Sequence, residues 1–407
     1  MNRDTRRNLF VLLVCQALGM SCLSLSMTIT ALVGDMLAPD PSLATVPLAL
    51  QFVGTMAATI PASLFMGRHG RRLGFSLGAV LGVVAGVVCA WAVFQADFFL
   101  FSVGSMCLGF FAAHVAYYRF AAADAASSAY RSRAVSWVLA GGLVAAFLGP
   151  ELAKHTRDLF EPILFAGGYF AIACLAFASL VLLQFLTIPA PRLEERRSKG
   201  RPLRQVASQP GLVIAVFCAM VAYGAMNLVM VSTPLAMIAC AHPFEAAAMV
   251  IQWHVVGMYA PSFFTGNLIH RFGVLPVIAA GALLIIACVI VNLSGIEVAQ
   301  FFSALVLLGL GWNFMYVGGT TLLTECYLPE EKAKVQALND FLVFGTTVVT
   351  AFSSGYLFNN FGWSAVNLGV LLPVALALAA VIWLARHKRQ LTKSESQGQG
   401  TVSGHSA

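Results

Sequence analysis

Charge is scarce in this 407-residue chain, where 10% of residues are Asp, Glu, Lys or Arg and 59% are apolar. Soluble domains carry about a quarter charged residues, so too few are present to cover a water-facing surface, and a soluble enzyme is excluded. The nine cysteines (Cys15, Cys22, Cys89, Cys107, Cys174, Cys218, Cys240, Cys288, Cys326) form no C-x-x-C pair and sit mostly inside apolar runs. That argues against a zinc site or a disulfide framework. Period-2 alternation is missing, which excludes a β-barrel. Neither a nucleophile-base constellation nor a phosphate loop occurs, so the chain is expected not to be an enzyme and to need no cofactor.

What remains is a succession of long apolar blocks. A helix needs about 20 apolar residues to cross a bilayer, and breaks at charged or Pro-rich positions delimit twelve such blocks. They fall near 8–34, 44–66, 73–95, 98–119, 134–153, 162–188, 211–239, 245–269, 274–295, 298–324, 335–358 and 364–385. The abundance of Gly (35) and Phe (30) suits helices that pack closely in lipid. With both termini placed in the cytoplasm, Lys154 and Arg157 alone of the 24 Lys and Arg fall on the opposite side, a strong positive-inside asymmetry. The apolar stretch after Arg3, Arg6 and Arg7 runs to about Val33 with no small-residue cleavage site, so it is expected to stay as the first helix.

These blocks imply an all-α membrane protein with an N-terminal six-helix bundle over 1–188 and a cytoplasmic linker over 189–210. A C-terminal six-helix bundle over 211–390 and a disordered cytoplasmic tail over 391–407 complete it. The basic linker lacks aromatics to stack on bases, so a nucleic-acid partner is not expected and anionic headgroups are its natural neighbours. An internal repeat links the halves. The 2/3 loop reads Gly67-Arg68-His69-Gly70-Arg71-Arg72 and the 8/9 loop His270-Arg271-Phe272-Gly273. This resembles the loop signature of the major facilitator superfamily, with Arg68, Gly70, Arg71, Arg271 and Gly273 at matching positions. The family's acidic position holds Gly67 here in one half and His270 in the other, and its leading Gly is Ser63 in the first half. The resemblance implies twelve helices in two bundles that rock around a central site, and a conformational latch at these loops. Gly149-Pro150 looks like part of the same superfamily's antiporter motif.

A carrier must replace the water around its substrate near the bilayer midplane, and few side chains can do so. Gln16, Gln51, His114, Asn227, Gln252, His254, Asn313 and Asp340 are the polar candidates, and no span has a carboxylate at its centre. Asp340 reads as a helix N-terminal acid and His114 as a structural histidine. Met226 and Met230 in span seven, and His254 and Met258 in span eight, are each four apart, which puts both members of a pair on one helix face. The spans are antiparallel about a turn near His242 and Pro243, so the two pairs lie at matching depth. Thioethers and imidazole are soft ligands that suit Cu(I). With 14 Met and 8 His, chance supplies about 0.5 Met-x3-Met and about 0.3 His-x3-Met pairs, so each alone means little. Two readings stay open: a soft-metal site, or methionine as flexible filler with His254 as an interhelical contact.

At these four residues the chain resembles the CcoA-type copper importers of bacteria. The resemblance implies uptake of copper, as an ion or a small complex, across the inner membrane by a monomer, feeding the copper centre of a cbb3-type cytochrome oxidase, with copper chaperones as partners. It also implies accessory roles for Cys218 and Cys240. A straight helix would separate those thiols by roughly 33 Å, so they cannot form a disulfide with each other. A related branch of the family imports riboflavin, and Tyr223, Trp253, Tyr259, Trp312 and Tyr316 offer rings on which a flat solute could stack. Riboflavin or another small aromatic solute is therefore the alternative cargo.

Overall fold

The computed structural model describes residues 3–40, 43, 46–188 and 200–402. The linker segment 189–199 and the last residues 403–407 lie outside it, as do the corresponding parts of the linker and tail expected from sequence. The described chain is helical, with one isolated bridge between Phe160 and Ile163.

Among the described residues, eleven helices are long and apolar enough to cross a membrane. Span one is Arg3–Leu37, span two Val46–His69, span three Arg71–Gln95, and span four Phe98–Ala116 continued by Tyr118–Ala125. Span five joins Arg131–Ala140 to Gly142–Thr156, and span six is Ala166–Leu183. After a short helix, Leu203–Ala207, come span seven (Pro210–Ala239), span nine (Val274–Ser294) and span ten (Val298–Thr324). Spans eleven and twelve share one helical run, Lys332–Val402, bent at Gly362 where φ is 77°. Its backbone stays helical to Val402, whereas an unstructured tail is expected from 391.

Span eight is the exception, because its single apolar block folds as two helices, Phe244–Tyr259 and Ser262–Phe272. Pro261 lacks the N–H that would continue the ladder, and its ring disrupts the turn before it. In lipid a freed carbonyl needs a protein partner. Asn313 of span ten supplies one: its Nδ2 donates to Met258 O (2.6 Å) and to Ser262 Oγ (2.6 Å), while its Oδ1 accepts from Thr265 Oγ1 (2.7 Å). One polar side chain thus repairs the break and fixes span eight to span ten. Gly309 allows the same two helices to approach, since a Cβ there would stand 2.5 Å from His254 O.

The repeat read from the loops has a backbone counterpart. Gly70 (φ 90°, ψ 161°) and Gly273 (φ 88°, ψ 163°) make the same left-handed turn between spans two and three and between spans eight and nine. Only glycine adopts it without strain.

The start of span one meets the ends of spans four and six at the end of the molecule that carries the basic 2/3 and 4/5 loops. Thr5 Oγ1 donates to Ala125 O (3.3 Å), and Thr187 donates from N (2.9 Å) and Oγ1 (3.0 Å) to Asn8 Oδ1. Large apolar side chains such as Trp91, Phe177, Leu372 and Trp383 point outward, as a lipid-facing surface requires.

Candidate functional site at the bundle interface

The bonds described between the two bundles all lie toward the basic end. Nearest that end, Ser63 Oγ donates to Ala333 O (2.7 Å) and Arg71 Nη2 to Gln336 Oε1 (2.6 Å). Arg71 also holds Asp124 through Nε (3.2 Å) and Nη2 (3.0 Å), and Lys332 Nζ lies 3.5 Å from the same carboxylate. On the other seam Arg131 Nη1 donates to Thr324 O (3.1 Å), Ser132 Oγ to Gly266 O (3.2 Å), and Gly266 N to Ser136 Oγ (3.0 Å). Of the five loop-motif residues, Arg71 is buried in this network and Gly70 and Gly273 shape the turns, whereas Arg68 and Arg271 are exposed. Asp124, at the end of span four, places a carboxylate on Arg71, where the loop itself has no acid.

Deeper in the membrane, Arg119 of span four donates through Nη2 to Asp340 Oδ1 of span eleven, and both side chains are fully buried. Asn339 Nδ2 donates to the same Oδ1 (2.8 Å). Two sequence expectations are corrected here. Asp340 is an interbundle ion-pair partner well inside its span, not a helix-terminal acid. Span four, expected to end at Arg119, runs on to Ala125 through the Ala-rich stretch after it, so Arg119 lies inside the span and not at its end. That apolar continuation beyond Arg119 was the available signal.

Beside the ion pair lies an aromatic wall built by spans seven and ten. Trp312 and Tyr316, one turn apart, stack at 4.9 Å with 23° between planes, and Tyr223 sets its edge on Tyr316 (4.8 Å) and Trp312 (5.3 Å). Tyr259 meets Trp312 edge-on at 5.7 Å, and the Arg119 guanidinium lies 4.8 Å from the Tyr316 ring centre. Tyr259 also closes on the opposite bundle, where a Cβ at Gly142 would sit 2.6 Å from its ring. Four of the five rings named from sequence are therefore brought together. Trp253 stands apart, half exposed against Phe302.

The four soft donors lie on spans seven and eight, both of which pack on span ten. His254 is fully buried, its Nδ1 2.8 Å from Leu305 O of span ten, and its Nε2 has no hydrogen-bond partner. Met258 is buried one turn on, beside the Gly309 contact. Met226 is buried and Met230 half-buried on span seven, which packs mainly on spans ten and eleven; between them Asn227 Nδ2 donates to Thr347 O (3.2 Å) and Thr350 Oγ1 (3.1 Å). Among the described residues, no three His, Cys, Asp or Glu gather as a metal site. Cys218 is buried in span seven and Cys240 half-buried at its C-terminal cap, both as free thiols. His114 packs against Gly78 with Nδ1 2.8 Å from Phe110 O, as a structural histidine would. Gln51 accepts from Ser26 Oγ (2.8 Å), while Gln16 Oε1 is buried without a partner.

The Major Facilitator Superfamily model matches residues 9–252 and 215–404, almost the whole chain. The chain belongs to that superfamily. It is 41% identical to the riboflavin transporter RfnT of Brucella anthropi over 379 residues, covering 93% of this chain and 95% of that one. Its fold is similar to those of the transporter FucP in the outward conformation (16% identity, TM-score 0.73, 95% and 99% covered) and of a bacterial homologue of the iron transporter ferroportin (16% identity, TM-score 0.73, 95% and 100% covered). A multi-pass membrane transporter of two six-helix bundles is thus established.

Proposed function

We propose that this transporter imports riboflavin, or a flat aromatic heterocycle like it, by alternating access across the bacterial inner membrane, with the basic end toward the cytoplasm. The similarity to the Brucella anthropi riboflavin transporter, sustained over nearly the full length of both chains, carries this reading. The aromatic wall supplies its physics. Offset stacking and edge contacts on Trp312, Tyr316 and Tyr223 replace the water lost from both faces of a planar ring. The closed seam at the basic end matches a carrier facing the opposite side, ready to receive solute from outside.

The same similarity favours the flavin alternative over copper delivery to an oxidase. Copper as cargo is supported by the motif spacing and by the unpartnered Nε2 of buried His254. The deciding experiment is growth of a riboflavin-requiring bacterium without its own importer. Expression of this chain should restore growth at low riboflavin and give saturable uptake of labelled riboflavin. Absence of uptake with the protein present in the membrane, together with copper accumulation, would reverse the assignment.

A further inference from the structure

Three polar atoms around the aromatic wall are buried without a hydrogen-bond partner: Arg119 Nε, Asp340 Oδ2 and Trp312 Nε1. Most buried polar groups in native proteins find partners, so three orphans in one neighbourhood point to a missing ligand. Their chemistry is specific. The Arg119 Nε and Trp312 Nε1 hydrogens can only be donated, and the ionised carboxylate of Asp340 only accepts. The three belong to one connected group: Arg119 is bonded to Asp340 and lies over Tyr316, which stacks on Trp312. Tyr223, which touches both rings, is half-buried, whereas Arg119, Asp340, Trp312 and Tyr316 are buried.

We infer that Arg119, Asp340 and Trp312 read the imide edge of a planar heterocycle, the carbonyl, N–H, carbonyl sequence of a pyrimidinedione ring. Two donors and one acceptor are the complement of the two carbonyls and one N–H of that edge. The isoalloxazine ring system presents that edge, so the inference rests on the flavin reading and names the part of the flavin that is recognised. It also gives the ion pair a role in transport. Arg119 and Asp340 belong to opposite bundles, and parting them bare would leave two buried charges uncompensated. A ring edge inserted between them keeps both groups bonded as the bundles separate, so the loaded carrier opens toward the basic end and the empty one does not.

The test uses the full chain in lipid nanodiscs and follows quenching of flavin fluorescence. Riboflavin is compared with N3-methylriboflavin, which keeps the rings, the carbonyls and the ribityl chain but has no imide N–H. The native protein should bind the methylated flavin at least about tenfold more weakly, because a buried acceptor is left unpaired. Asp340→Asn should narrow the difference to within about twofold, since an amide can turn its N–H₂ away and no longer demands a donor. Trp312→Phe, which keeps an aromatic ring, should weaken both flavins alike by about fivefold. Equal binding of the two flavins to the native protein would overturn the inference and leave the flavin reading standing. Failure to bind riboflavin at all would remove both. The analogue comparison needs no variant, so a misfolded substitution cannot decide the outcome.

Discussion

The buried pair between Arg119 and Asp340 permits a quantitative test of what holds the basic end shut. Replacing Arg119 by Gln, or Asp340 by Asn, removes one charge and strands the other in a fully buried position. Breaking such a pair costs about 3–5 kcal/mol, most of it the desolvation of the partner left behind, whereas replacing both members is close to neutral. Each single variant should therefore lose about 3 kcal/mol, and the double variant R119Q/D340N should lie within about 1 kcal/mol of the native protein. The coupling energy would then be about 5–7 kcal/mol, larger than contacting pairs usually show because stranding occurs twice. Unfolding free energies from SDS titration in mixed micelles measure all four corners of the cycle. The closed arrangement contains the pair, so each single variant should also shift the opening equilibrium by about a hundredfold, read by distance measurements across the basic end. Additive losses in the double variant would show that the two charges do not meet, and the reasoning about this gate would fail.

Three further outcomes follow from the same geometry. If copper is not the cargo, His254→Ala should leave copper accumulation at its background and lower riboflavin uptake only through the lost bond to Leu305 O, by about 1 kcal/mol of stability; abolished copper uptake with unchanged flavin uptake would restore the soft-metal reading. Gly309→Val should destabilise the protein by about 1–3 kcal/mol or more through overpacking against the span-eight backbone, seen as a lower melting temperature, and an unchanged melting temperature would contradict the close approach. Outside the membrane, Arg201 forms a two-point bond to Glu331 (2.7 Å through Nε, 2.7 Å through Nη2), and the Arg201 and Leu328 N–H groups also donate to this carboxylate. These bonds hold the Glu331 carboxyl down at about 2, below its ordinary 4.5. A lowered native value means that the clip stabilises fully above pH 4.5 and is lost as pH falls toward 2. Glu331→Gln should flatten the stability profile across that window, and an unaltered acid limb would show that the clip is not made.

Legibility in the sequence followed the range of the physics. Apolar block length fixes helix number in a bilayer, because a span needs its backbone satisfied internally and its side chains soluble in hydrocarbon. Twelve blocks were read that way, of which eleven form helices long enough to cross among the described residues and the twelfth folds as two shorter ones; the glycines of the two repeated turns could be read too. Pro261 was visible as a residue, but the break it makes depends on Asn313, 55 residues from Met258, to donate to the freed Met258 carbonyl. Cargo was legible only ambiguously. The spacing of Met226, Met230, His254 and Met258 announces soft donors, and rings at Tyr223, Trp312 and Tyr316 announce stacking, yet a one-dimensional pattern does not rank the two.

The sequence alone settled that the chain lives in a membrane, how often it crosses and where its loops repeat, since those properties depend on composition and local periodicity. Which polar residues pair across the bundles was decided only by the tertiary structure. Arg119 and Asp340 are separated by more than two hundred positions, and nothing in either local sequence names the other; the ion pair exists because two bundles close at the basic end and bring two buried, opposite charges into contact.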